Sequence, residues 1–406
     1  MAEIDTSVRR VLRLKERLGL FDDPYRRGAT NENAATIAAR RDLARDVGRR
    51  AIVLLKNDRD TLPLKPSRRI AVLGPLADAS TEMRGPWWGA GEHEPHVDVV
   101  AGLRANLPDT EIRHAAGVAI DDDDDSGIAD AVALCDDVDA VLLCLGESST
   151  MSGEAASRAF PDLPGRQRAL AEAAIERAHA RGIPVVAILF SGRPLTIAWL
   201  AEKADAIVAA WFLGSEAGNA ICDVLTGAVS PSGRTPISWP RTVGQAPIFF
   251  GERPSGRPAN PDDYYTSKYH DVPNAPLYPF GHGLGYGKFS YSNLRATPDV
   301  VRETGRIDVH VDLRNAGARG AEETVFLFTR DPVASVTRPL LELRGVAKIT
   351  LAPGASGTVS MSFAATELRF PGADLSPVFE PGTLEILVGP NADRAQLLKT
   401  TIELQD

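Results

Sequence analysis

The chain has 406 residues, 44% hydrophobic and 24% charged, the profile of a soluble globular protein long enough for two or more domains. Its formal net charge is −9 and no basic tract stands out, which argues against nucleic acid as a partner, because phosphate binding needs clustered Lys and Arg. No stretch reaches the ~18 apolar residues needed to span a bilayer, so no membrane association is expected. The start, Met1-Ala2-Glu3-Ile4-Asp5, lacks the apolar core of a signal peptide, so these residues carry no export address and localisation stays open.

In residues 1–30, Ile4, Val8, Val11, Leu12, Leu14 and Leu18 follow helical spacing, with Arg9 to Arg17 on a solvated face. Gly19 and Phe21-Asp22-Asp23-Pro24-Tyr25 end that helix. A helix and a tail cannot form a core alone, so this segment reads as the last element of something larger. Residues 31–245 alternate helix and strand. An amphipathic helix from Asn31 to Arg50 runs into the strand Ala51–Asn57. Further strands are expected at 70–74, 140–145, 184–190 and 206–211, with helices near 166–181 and 215–226. Apolar strands alternating with helices predict an α/β fold, a mostly parallel sheet covered on both faces.

Residues 246–286 are rich in Gly, Pro, Asn and Tyr and lack periodicity, which reads as a long connecting segment. From 287 to 406 the period becomes two. Ile307, Val309, Val311 and Leu313 alternate with polar residues, as do Val359, Met361 and Phe363, and Pro353-Gly354 and Pro381-Gly382 mark turns. That pattern predicts an all-β sandwich.

The chemistry concentrates in Gly146-Glu147-Ser148-Ser149-Thr150-Met151-Ser152-Gly153-Glu154-Ala155-Ala156-Ser157-Arg158. This stretch follows the apolar run 140–145, so it places two carboxylates in a loop at the C-terminal end of a strand, where open α/β sheets bind ligands. A carboxylic acid there can donate a proton. Other candidates are weaker. Cys135, Cys144 and Cys222 fit no metal spacing and read as buried thiols. His93 and His96, with Glu92 and Glu94 nearby, lack further ligands for a metal. Asp121–Asp125 lacks the spacing and Gly of a calcium loop and reads as a solvated acidic loop. Gly74-Pro75-Leu76-Ala77-Asp78 follows a strand but has neither G-x-G-x-x-G nor a Walker Lys, so no nucleotide is expected. No metal or cofactor is predicted.

The chain resembles the C-terminal part of glycoside hydrolase family 3 enzymes of the bacterial periplasmic β-glucosidase type. The resemblance rests on ordered motifs: Leu54-Leu55-Lys56-Asn57 with Leu62-Pro63-Leu64, the segment from Ile70 to Asp78, and the loop from Gly146 to Arg158. It continues through Ser191-Gly192-Arg193-Pro194-Leu195, the segments 211–220 and 231–240, and Tyr278-Pro279-Phe280-Gly281-His282-Gly283-Leu284-Gly285-Tyr286. It implies an α/β sandwich domain followed by a fibronectin type III-like domain, and retaining hydrolysis of terminal β-glucosides. That reaction uses two carboxyl groups about 5–5.5 Å apart, one a nucleophile and one an acid/base. The resemblance puts the acid/base at Glu154 and the nucleophile, an Asp, on an N-terminal TIM barrel.

Such a barrel needs ~250 residues, whereas about 30 precede the α/β region here. The segment from Val8 to Phe21 resembles the end of that barrel domain, and no Asp matches the nucleophile motif. The expectation is half a catalytic site, inactive alone. Its partners would be a β-glucoside or oligosaccharide substrate and a separate barrel chain, or a second copy through the bare barrel-facing surface. Glu147, directly after the strand, is the alternative acid or a structural group. Ser157 and Arg158 are expected to line the sugar site or to order the loop, Arg158 by pairing with a carboxylate. Trp87 and Trp88, in a Gly-rich loop, offer aromatic faces for a sugar ring, or pack in a core or domain interface. Tyr264, Tyr265, Tyr269 and His270 border the pocket or cover the sandwich surface. The rival reading is a non-catalytic carbohydrate-binding or interaction module.

Overall fold

The computed structural model describes residues 1–25, 33–89 and 95–406. Two units separate within it, Met1–Leu43 and Ala44–Asp406. In the first, helix α1 (Ala2–Arg17) carries Glu3 and Asp5 in its first turn and Lys15 and Arg17 in its last, charges that complement the helix dipole. It buries no residue, and its apolar stripe of Ile4, Val8, Val11, Leu12 and Leu14 stands exposed. Helix α2 (Ala34–Ala51) begins in this unit, opened by Asn33, whose Oδ1 accepts the Thr36 N–H at 2.8 Å.

The second unit starts within α2 and builds a six-stranded sheet from β1 (Val53–Asn57), β2 (Arg69–Leu73), β3 (Glu111–Ala115), β4 (Ala140–Gly146), β5 (Val185–Phe190) and β6 (Ala206–Ala209). The strand order is β1-β6-β5-β4-β2-β3. All pairings are parallel except that of β1 with β6. The expected strands at 51–57, 70–74, 140–145 and 184–190 are present. That at 206–211 stops at Ala209, and Trp211 takes a positive φ of 54°. Strand β3, Glu-Ile-Arg-His-Ala, was not legible, because an edge strand that is only partly buried carries no apolar run.

Covering both faces are α3 (Val99–Asn106), α4 (Ile128–Ala133), α5 (Gln167–His179), α6 (Ala198–Lys203) and α7 (Ala217–Thr226). The continuously apolar β4 explains the two-sided cover. Val141, Leu143 and Leu145 enter one core with Leu170, Ala174 and Ile175 of α5. Leu142 and Cys144 enter the other, with Leu103 of α3 and Ile221 and Leu225 of α7. Each fully buried Leu or Ile contributes about 1.5–3 kcal/mol. The end of α2 is fastened to α7 by Arg45 and Arg49, whose guanidinium groups donate to Asp223 at 2.6 and 2.7 Å. Burial alone would raise the Asp223 pKa, but these bonds outweigh it and hold the carboxyl below its usual value.

The connecting segment crosses back over the sheet domain. Trp239 pairs with Tyr278, and the Leu284 N–H donates to Leu54 O at 2.8 Å. A β-sandwich follows: β7 (Phe289–Thr297), β8 (Val300–Arg302), β9 (Arg306–Asn315), β10 (Ala321–Arg330), β11 (Glu342–Leu351), β12 (Ser356–Ala364), a short hairpin of β13 (Phe370–Pro371) and β14 (Pro377–Val378), β15 (Gly382–Gly389) and β16 (Leu398–Gln405). Its sheets run β11-β10-β15-β16-β8 and β12-β9-β7. Ile307, Val309, Val311 and Leu313 all point into its core, as their alternation predicts. Arg234 ties the two domains together by donating to Glu323 Oε2 at 2.9 Å, while the Tyr291 hydroxyl donates to Oε1 at 2.8 Å.

Candidate active site

The expected catalytic loop leaves the C-terminal end of β4. Gly146 there has φ +142°, and a Cβ at this position would stand 1.9 Å from Phe190 O of β5. Only glycine lets the two strand ends approach so closely. Gln167, at the start of α5, clasps it from both sides: its Oε1 accepts the Gly146 N–H and its Nε2 donates to Gly146 O, each at 2.8 Å.

Glu147 then turns inward and is fully buried. Its carboxylate accepts bonds from Ser152 Oγ at 2.7 Å, Arg158 Nη1 at 2.8 Å and Arg193 Nε at 3.2 Å. A carboxylate so enclosed is an internal anchor, and with its oxygens engaged by three donors it is poorly placed to meet a substrate proton. Arg158 accordingly pairs with a loop carboxylate, and also donates to Asp162 O at 2.9 Å.

Glu154 has the opposite environment. It stands exposed in a turn between Gly153, at φ +100°, and Ala155, at φ +58°. A left-handed alanine costs about 1–2 kcal/mol, so the surrounding contacts must hold it. Arg193, from the loop after β5, donates through Nη2 to Met151 O at 2.5 Å and Ala156 O at 2.6 Å, on either side of Glu154. The Gly192 N–H donates to Ser152 Oγ at 3.1 Å. The Ser149 N–H donates to Glu82 Oε2 at 2.6 Å, tying the loop to the turn after β2.

That turn brings the tryptophans to the site. A Cβ on Gly153 would lie 2.8 Å from Pro86 Cβ and 3.6 Å from Trp87 Cε2, so Trp87 borders the residue before Glu154. Trp87 is 73% exposed and Trp88 39%, with the Arg84 guanidinium 3.8 Å over the Trp88 ring. Neither is a core residue. Ser157 is exposed on the same loop. Gly85 packs on Phe212, beyond the end of β6, which closes the ring of loops around the C-terminal edge of the sheet.

The remaining candidates lie elsewhere or serve other ends. Glu92, His93 and Glu94 fall outside the described residues. Among the described residues no group of three His, Cys, Asp or Glu is placed to hold a metal ion. Asp122 and Asp124 cap nearby backbone N–H groups, at 2.8 and 3.0 Å, in an exposed loop. Gly74, at φ +109°, packs directly under Cys144 O. All three cysteines are free and buried, and burial raises the thiols of Cys135 and Cys222 to about 11. Tyr264 and Tyr265 are exposed and pack on each other, and the Tyr269 hydroxyl donates to Gly244 O, so these residues belong to the surface of the connecting segment. His270 is exposed beside them. Among the described residues no helix is long and apolar enough to cross a membrane.

Arg193 and Glu82 were not foreseen as site residues. The Ser191–Leu195 motif was visible, but nothing local to it says where its guanidinium goes.

Comparison with known proteins bears on the whole chain. The model of the glycosyl hydrolase family 3 C-terminal domain matches residues 52–286, and that of the fibronectin type III-like domain matches residues 323–392. A periplasmic beta-glucosidase of Salmonella typhimurium is 38% identical over 100% of this chain and 56% of its own length. A beta-xylosidase of Formosa agariphila is 35% identical over 98% of this chain and 55% of its own. The crystal structure of a beta-glucosidase from Listeria innocua in complex with isofagomine superposes with a TM-score of 0.88 at 34% identity, covering 97% of this chain and 54% of that one. A mutant beta-glucosidase from Listeria innocua in complex with laminaribiose superposes with the same TM-score of 0.88. The chain spans about half the length of the curated relatives it matches.

Proposed function

The chain belongs to glycosyl hydrolase family 3, as its C-terminal domain, and from that membership we propose that Glu154 is the general acid/base of a retaining, exo-acting β-glucosidase. The observation that carries the proposal is the contrast between the two loop carboxylates. Glu147 is enclosed by three donors, whereas Glu154 is presented to solvent beside Trp87 at the C-terminal edge of the sheet.

In the first step the Glu154 carboxyl gives its proton to the glycosidic oxygen as the bond to the anomeric carbon breaks, and a nucleophilic carboxylate takes that carbon. In the second, the Glu154 carboxylate removes a proton from water, which displaces the enzyme carboxylate and releases the sugar with its configuration retained. The first step starts from the protonated form of the Glu154 carboxyl.

The nucleophile in this proposal is an Asp on a barrel domain that these 406 residues do not contain, so the chain alone turns over negligibly. Trp87, Trp88 and Ser157 contact the substrate, with terminal β-D-glucosyl groups as the substrate class. Arg158 orders the loop through Glu147.

The test is release of nitrophenol from an aryl β-glucoside by the purified chain, alone and mixed with a separately produced family 3 barrel domain. Activity in the mixture only, reduced about 10²–10⁴-fold by Glu154→Gln, is the expected result. Robust turnover by the chain alone would refute the assignment of the nucleophile to another domain. Sugar binding that survives Glu154→Gln, without hydrolysis in any mixture, would establish a carbohydrate-binding module instead.

A further inference from the structure

We infer that Arg193 is a positioning residue for Glu154: its guanidinium, anchored on the buried Glu147, fixes the left-handed turn that presents the acid/base. The inference rests on the proposed role of Glu154.

Three observations converge on this one side chain. Its Nη2 donates to Met151 O and Ala156 O, the carbonyls that bracket Glu154, at 2.5 and 2.6 Å. Its Nε donates to Glu147 Oε2 at 3.2 Å, and the same carboxylate accepts the Ser152 hydroxyl, which in turn accepts the Gly192 N–H. The enclosed segment holds Gly153 and Ala155, both at positive φ. An alanine does not stay in that region without outside restraint. The restraint does not rest on the turn's own backbone, where the bond from the Ala156 N–H to Gly153 O is long at 3.4 Å. It comes from Arg193, 39 residues from Glu154 in sequence and on the neighbouring strand's loop.

The fork is necessary. A guanidinium presents N–H groups at fixed angles, so one side chain can hold two carbonyls and a carboxylate at once. A lysine supplies the charge but not that geometry. Glu147 makes the arrangement possible. Buried and paired with both Arg158 and Arg193, it pins the base of the loop while the guanidinium holds the crest.

The experiment compares the 406-residue chain with Arg193→Met, which keeps the stem and removes the donors, and with Arg193→Lys. Amide hydrogen exchange is followed in peptides covering residues 148–157 and in peptides from the core strands β4 and β5. The expected result for Arg193→Met is at least tenfold faster exchange confined to residues 150–157, with core peptides unchanged, and an intermediate value for Arg193→Lys. Unchanged loop protection in Arg193→Met overturns the inference, and so does faster exchange spread equally over the core. If Arg193→Met fails to fold because Glu147 is left short of partners, Glu147→Gln/Arg193→Met removes the stranded charge and is read the same way. A second arm uses the mixed assay with the barrel domain. Arg193→Met should lower kcat at least tenfold with KM within twofold, and Arg193→Lys should recover part of it. An unchanged kcat in an active mixture overturns the positioning role. A silent wild-type mixture counts against the reading of Glu154, while the exchange measurement still decides the restraint.

Discussion

At the scale of single residues, the candidate site gives two nearby carboxylates opposite surroundings. Glu147 and Glu154 are seven positions apart, yet one is fully enclosed and the other exposed. The difference starts at Gly146, where the chain leaves β4 against Phe190 O. Gly146→Ala should destabilise the chain by about 3 kcal/mol or more, because backbone rather than a flexible side chain lies in the way. Urea unfolding of the purified variant checks this. An alanine tolerated within 1 kcal/mol would mean that the strand ends can separate. Glu154 itself was marked by its sequence surroundings. The role of Glu147 was open between acid and scaffold, because its ligands Arg158 and Arg193 are set by the loop's path and by a strand far along the chain.

At the scale of elements, β4 is the spine of the α/β domain. Its residues alternate between two separate cores although every position is apolar. Leu142→Ala and Leu143→Ala should therefore cost similar amounts, each about 2–5 kcal/mol, through opposite faces of the sheet. Chemical denaturation of the two variants tests this. A large cost for one and almost none for the other would mean that one face is not a packed core. The long apolar strands were legible because burial on both faces forces continuous hydrophobicity. The edge strand β3 and the short helices α3, α4 and α6 were not. The helices span only one or two turns, and their boundaries follow from what they pack against.

At the scale of the whole molecule, the second unit joins its two domains with buried polar groups. Arg234 reaches from the segment after α7 to Glu323 on β10, and both side chains are nearly inaccessible. Removing one partner strands the other's charge, so Arg234→Met should cost about 3–5 kcal/mol, with Arg234→Met/Glu323→Leu recovering much of it. A double-mutant cycle by thermal unfolding measures the coupling, and additive effects would show that the pair does not hold the junction. His282 adds a pH dependence. Burial lowers its pKa from the usual 6.5, despite the bond to Leu55 O. The folded chain thus binds fewer protons than the unfolded chain just below pH 6.5, and stability falls as the pH drops through that range. His282→Gln should flatten the stability–pH slope there, by at most about 1.4 kcal/mol per pH unit. An identical slope in the variant would show that His282 is not the group responsible.

What the sequence by itself determined is whatever depends on local pattern: apolar strands alternating with helices, the period-two strands of the β-sandwich, and the ordered motifs that mark the loop of Glu154 as the candidate site. What only the tertiary structure decided depends on residues distant in the chain. Strand β1 sits antiparallel at one edge of the sheet beside β6, Trp87 meets Gly153, and Arg193 closes on Met151 and Ala156. The physical reason is range. Backbone propensity and burial periodicity act within a few residues and leave a trace in composition. A buried carboxylate, by contrast, must take its donors from wherever the packed strands bring them, and no local pattern records that choice.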